Sequence, residues 1–172
     1  MASLMENLIE VLEAECQEYE DLLELSEKKT PIIVSGDLEE LSRITESEQV
    51  TVGRINKIEN KRQEVFNDIA NVINKDVNKL KLGDLVDMLS KRPEEQQRLA
   101  KVHDRLRVVV RTVKSVNDQN RELIKNALEM VEFNLNMLQA MKTAPETANY
   151  NRGAYNAGMQ MGVDKAGFDA KQ

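Results

Sequence analysis

The sequence predicts an all-α fold: an elongated antiparallel helical bundle or coiled coil of three long helices plus one short helix, with a flexible C-terminal tail. Three observations predict it. Charged residues make up 31% of the 172 residues and aromatics 3%, with no Trp, the composition of long helices. Apolar residues recur three and four apart through most of the chain. One unbroken helical pattern runs from Pro93 to Lys142 and is followed by a tail rich in Gly, Asn and Tyr.

The first helix is expected over roughly residues 3–29. Leu4, Leu8, Val11, Leu12, Cys16, Tyr19, Leu22 and Leu23 supply its apolar spacing. Pro31 disfavours a helical Thr30, so it either opens a further turn at Ile32 to Val34 or kinks a continuous helix. Ser35, Gly36 and Asp37 break the pattern. Asp37 is a good N-cap for the second helix, and Glu40 sits three residues later, as in a capping box. Leu38, Leu41, Ile44, Val52, Ile55, Ile58, Val65, Ile69 and Val72 are its apolar positions. From Ile55 onward they form a heptad seam into which Arg62 falls, and Glu48 falls in its upstream extension. Both are expected to snorkel at the bundle edge.

Residues 75–83 read as a polar connection. A short helix over 84–89 follows, with Leu85, Met88 and Leu89 placed to plug the bundle end. The long helix starts near Pro93, where Pro suits the first turn and Glu94 and Glu95 suit the positive dipole end. Its seam runs from Leu99 through Val102, Leu106, Val109, Val113, Val116 and Asn120 to Leu123, Ala127, Met130, Asn134, Met137 and Met141. A helix of this kind spans on the order of 75 Å at ~1.5 Å per residue. It ends near Thr143, giving a helical domain over 1–143 and a flexible tail over 144–172.

Net charge is −6 overall but unevenly spread. Residues 1–29 hold nine acids and two bases; residues 93–143 hold seven acids and nine bases. An acidic first helix beside a basic-leaning last helix pairs these charges. The overall acidity argues against a nucleic-acid partner. No aromatic interleaves with Arg98, Lys101, Arg105, Arg107, Arg111 and Lys114, so base stacking is unsupported. A lone cysteine, Cys16, builds no disulfide framework and reads as a small core residue. The N-terminus turns acidic within six residues, unlike a secretory signal, and no apolar run approaches membrane-spanning length. A cytoplasmic protein is expected.

The candidate site lies late in the long helix. Beyond Asn120 a second stripe, Ile124, Leu128, Val131, Leu135 and Leu138, joins the seam residues Leu123, Ala127, Met130 and Met141. Two adjacent stripes make a face wide enough to touch two neighbours. Either other helices of the chain cover it or a partner does. Its methionines suit partners of varied shape. Asn120 and Asn134 either fix register or hydrogen-bond a bound segment. The tail, with Tyr150, Tyr155 and Phe168, reads either as a docking peptide that orders on binding or as a solvated end.

Chemistry finds little support. His103 is the only histidine, without a second His or a Cys cluster, so neither a metal site nor a histidine-based catalytic pair is indicated. Phosphate-binding glycine loops and a nucleophile elbow are lacking. No enzyme and no cofactor is expected.

Several segments together resemble a known family. Residues 18–29 (EYEDLLELSEKK) end the first helix, and residues 37–48 (DLEELSRITESE) open the second. Residues 116–124 (VNDQNRELI) and 127–130 (ALEM) lie late in the long helix. Tyr150-Asn151-Arg152-Gly153 and Phe168-Asp169-Ala170-Lys171 mark the tail. In order and spacing these resemble the FlgN family of flagellar type III export chaperones over essentially the whole chain. The resemblance implies a cytoplasmic chaperone for hook–filament junction proteins (hook-associated proteins). It would bind their C-terminal helical segment, prevent early assembly and deliver them to a membrane export-gate component. It implies cargo contacts at Asn120, Leu123, Ile124, Ala127, Leu128, Met130, Val131, Leu135, Leu138 and Met141, and gate docking at Tyr150 with Gly153. Tyr155 and Gly158 repeat that spacing. A weak homodimer stays open, as does a structural coiled-coil or adaptor protein without an export role.

Overall fold

The computed structural model describes residues 2–143, with side chains from residue 4. Its elements are α1 (Ala2–Ser35), α2 (Leu38–Val72), α3 (Leu82–Met88) and α4 (Pro93–Thr143). The all-α architecture is as expected: among the described residues there is no strand. The tail, 144–172, lies outside them. The chain divides into two compact units, residues 1–126 and 127–172.

In the first unit α1 is the central partner. Glu15 meets Arg62, Tyr19 meets Glu59 and Ser26 meets Glu48, so α1 and α2 run antiparallel. Glu13 meets Arg98, Glu20 meets Arg105 and Thr30 meets Asn120, so α1 and α4 run parallel. These ion pairs also realise the expected match of an acidic first helix with a basic last one. Leu8, Ile9, Leu12 and Cys16 of α1, Ile69 of α2, Leu85 of α3 and Leu99 of α4 are fully buried in one core. Each large side chain so buried stabilises the fold by roughly 1.5–3 kcal/mol.

α1 does not stop at residue 29 but continues through Pro31 to Ser35. Pro31 lacks the N–H that the Glu27 carbonyl would accept, a local cost. Buried Ser26 and Ile33 on either side hold the helix together across it. Gly36 then ends it, adopting φ +73° and donating its N–H to the Ile32 and Ile33 carbonyls. Asp37 caps α2 by accepting the Glu40 N–H at 3.0 Å. The capping box stays half-formed, because the Glu40 carboxylate accepts from Arg43 instead.

Ile44, Thr51, Ile55, Val65 and Ile69 form the buried row of α2, in steps of seven, four, ten and four, with Ala70 buried beside Ile69. This heptad frame puts Thr51 inside, while Leu38, Val52 and Val72 are exposed, contrary to the sequence reading. Hydrophobicity pointed to Val52, but register decides. Thr51 satisfies its hydroxyl by donating to the Ser47 carbonyl. α2 closes in a Schellman motif. Asn74 takes φ 52°, donating to the Asn71 carbonyl, and Lys75 donates to Ala70.

Two seam positions depart further from expectation. Glu48 does not snorkel. Its side chain is 12% exposed and accepts from Lys29, itself 16% exposed, at 2.7 Å. It also accepts from the fully buried Ser26 hydroxyl at 3.1 Å. Arg62 is half-buried and reaches inward to buried Glu15 at 3.0 Å, at an angle that makes no hydrogen bond. Long charged side chains turned inward because α1 offers them opposite charge, not water.

The connection before α3 is less polar than expected: Leu80 is buried with Leu85 and Leu89 against the core. Met88 faces outward instead of plugging the end. Asp84 accepts the Lys81 N–H at 2.9 Å and fixes the start of α3.

Glu15 carries a pH signature. Burial pushes its carboxyl above the usual carboxylate range, opposed by Arg62 and reinforced by Glu59. The folded state therefore holds this proton to a higher pH than the unfolded chain. Between the two values folding stability falls as pH rises. Glu15→Gln is expected to remove that fall and to raise stability at neutral pH, since half-exposed Arg62 can turn to water. Urea unfolding at mildly acidic and neutral pH reads this directly; an unchanged pH dependence in the variant contradicts it.

Candidate partner-binding surface

α4 passes from a buried seam to an open one along its length. Leu99, Val102, Val109, Val113 and Asn120 are buried, each three, four or seven residues from the next. Leu123 and Ile124 are half-buried. In the second unit, the described residues are the last turns of α4, 127–143, and all of them are exposed.

The exposed part is amphipathic. Leu128, Met130, Val131, Leu135, Met137, Leu138 and Met141 are between 50% and 68% exposed, and Ala127 is exposed with them. At ~100° per residue, both rows together take up roughly half the helix circumference. Glu129, Glu132, Asn136 and Gln139 occupy the opposite side. Phe133, 65% exposed, extends the apolar face beside Met130 and Met137. The sequence reading passed over it, although its spacing of three from Met130 and four from Met137 was the signal. Scattered apolar side chains are ordinary on a surface, whereas a continuous apolar face is the kind of surface on which another molecule can pack.

Asn120 stands apart from the rest of the expected cargo residues. It is buried, donates to the Ser26 carbonyl at 2.8 Å and accepts from the Thr30 hydroxyl at 2.7 Å. Its amide is spent on α1, which supports the register role considered for it. Asn134 is exposed. Tyr150, Gly153, Tyr155 and Gly158 lie outside the described residues.

The other candidates resolve into packing. Cys16 is fully buried, and burial raises its thiol pKa. Tyr19 donates to Glu59 at 3.0 Å, and burial with that bond pushes its pKa up to about 12. Arg98 binds Glu6 and Glu13, and Arg105 binds Glu20; these bonds raise both guanidinium pKa values. His103 lies beside Asp104 at 3.3 Å. Among the described residues no group of His, Cys, Asp or Glu is placed to hold a metal ion. No described helix is long and apolar enough to cross a membrane.

The model of the FlgN protein family matches residues 1–157. A Bacillus subtilis (strain 168) protein, described as the uncharacterized protein YvyG, is 28% identical over 144 residues. That match covers 84% of this chain and 83% of the relative. No solved structure matches. With the whole described helical region inside the family match, the chain belongs to the FlgN family of flagellar export chaperones, a non-enzymatic family that binds hook-associated proteins.

Proposed function

We propose that this protein is a cytoplasmic chaperone that holds the C-terminal helical segment of a hook–filament junction protein and delivers it to the flagellar export gate. The observation that carries the reading is the wide apolar face of α4, Leu128 to Met141, exposed to solvent. An assembly helix that is apolar on one face self-associates when that face is left bare. A helix laid along the two rows of α4 covers that face, a helix-in-groove mode of recognition. Leu123 and Ile124 begin the contact, and Ala127, Leu128, Met130, Val131, Leu135, Leu138 and Met141 continue it. The flexible thioethers of Met130, Met137 and Met141 adapt to more than one cargo sequence.

Delivery falls to the tail, with Tyr150 and Gly153 as the gate contact. Holding and delivering are then separable. Tyr150→Ala is expected to leave cargo affinity near that of the wild type while lowering secretion of the junction protein in a strain carrying only the variant. Equal loss of binding and secretion contradicts that division of labour.

A further inference from the structure

The chain carries more acid than base, 30 residues against 24, and its arginines are mostly spoken for. Every other arginine among the described residues has a carboxylate within 3.5 Å. Arg107 and Arg111 have none within 4.0 Å among those residues, though both are exposed and free to turn. Where acids are in excess, two neighbouring guanidinium groups with no carboxylate partner among the described residues are an exception.

Both line one groove of about 450 Å³ at the level of Tyr19, between α2 and α4. Half-buried Leu106, the flank of Tyr19 and Val110, 38% exposed, give it apolar surface. Arg107 and Arg111 stand one helical turn apart, ~6 Å along the axis. That spacing matches two carboxylates one turn apart on a second helix, each able to accept paired guanidinium hydrogen bonds.

We propose that this groove is a second docking surface, separate from the apolar face of α4, which takes an acidic amphipathic helix of a partner protein. Its carboxylates pair with Arg107 and Arg111, and an apolar residue between them sits against Val110 and Leu106. Glu15, Glu59, Arg62 and His103 line the same groove, with Glu15 paired to Arg62 and Glu59 accepting from Tyr19. Two separate guanidinium groups suit isolated carboxylates, whereas the acids of the groove and the net acidity of the chain disfavour a continuous phosphate chain. The observations therefore favour a protein helix over a nucleic acid.

The test uses the full-length protein and a labelled synthetic helical peptide carrying two Glu four residues apart with Leu between them. Fluorescence anisotropy measures binding to the wild type, Arg107→Glu/Arg111→Glu, Arg107→Gln/Arg111→Gln and Leu128→Asp. Both arginine double variants are expected to weaken binding by about tenfold or more, the Glu pair most. Replacing Glu with Gln in the peptide is expected to have a similar effect. Leu128→Asp is expected to bind the peptide as the wild type does. The replaced residues are exposed, so circular dichroism should be unchanged. Four results overturn the proposal: no binding at millimolar peptide, binding indifferent to the arginines, binding lost with Leu128→Asp, or displacement of the peptide by a uridine oligonucleotide with a steep salt dependence. The last would make the groove a nucleic-acid site.

Discussion

Leu128→Asp or Leu135→Asp should abolish binding of a hook-associated protein's C-terminal helical segment, while the chaperone stays as helical as the wild type. Each change puts a carboxylate in the middle of the apolar face, where bound cargo would strip it of water without offering a partner. Burying an uncompensated charge costs several kcal/mol, and a central interface residue commonly accounts for ~2–4 kcal/mol, or about 30- to 1,000-fold in affinity. The fold has little stake in either position. Leu128 is 64% and Leu135 54% exposed, and substitutions at such sites move stability by about 0.5 kcal/mol or less. Calorimetric titration and circular dichroism on the same samples separate the two effects. Normal cargo affinity in both variants would mean that the cargo lies elsewhere.

Glu48→Ala should destabilise the first unit, residues 1–126, by about 2–4 kcal/mol. Removing the carboxylate leaves the Lys29 ammonium, 16% exposed, without its counter-charge and the fully buried Ser26 hydroxyl without its acceptor. The figure sits below that for a wholly buried pair because both charged ends keep some contact with water. Urea unfolding gives the loss. Glu24→Ala, which breaks an exposed pair with Lys28, should have no measurable effect. The double change Lys29→Met with Glu48→Leu should recover much of the stability, since it removes both charges together. If Glu48→Ala unfolds at the wild-type urea concentration, the polar layer does not hold the helices in register.

That layer shows where sequence reading runs out. Ser26, Lys29 and Thr30 of α1, Glu48 of α2 and Asn120 of α4 meet at one level. The heptad spacing disclosed that Glu48, Arg62 and Asn120 occupy seam positions. It could not disclose that α1 presents Glu15, Ser26 and Lys29 to receive them, because those residues look like a solvated face when read alone. Thr51 and Val52 carry the same lesson. Hydrophobicity favoured Val52 for the core, while the phase set by Ile44 and Ile55 put Thr51 there.

Backbone signals behaved unevenly. Asp37 and Pro93 marked their helix starts correctly, since capping and first-turn geometry depend on immediate neighbours. Pro31 left two outcomes open, a fresh turn or a continuous helix; the helix continues, since packing around Ser26 and Ile33 outweighs the loss of one local hydrogen bond. The wide face of α4 was legible because two rows of apolar residues need no knowledge of the other helices. Whether other helices cover it was not legible, as helices of one period do not reveal which of them pack together. Phe133 escaped notice because it lies just off both rows.

The most direct test of the account is a methyl NMR titration of the full-length protein, labelled at its methionine and leucine methyl groups, with a hook-associated protein. The account predicts that Leu128, Met130, Leu135, Met137, Leu138 and Met141 shift together at one saturating stoichiometry, while Leu8, Leu12 and Leu99 of the core stay in place. Shifts confined to the core, or to residues around Arg107 and Arg111, would contradict it.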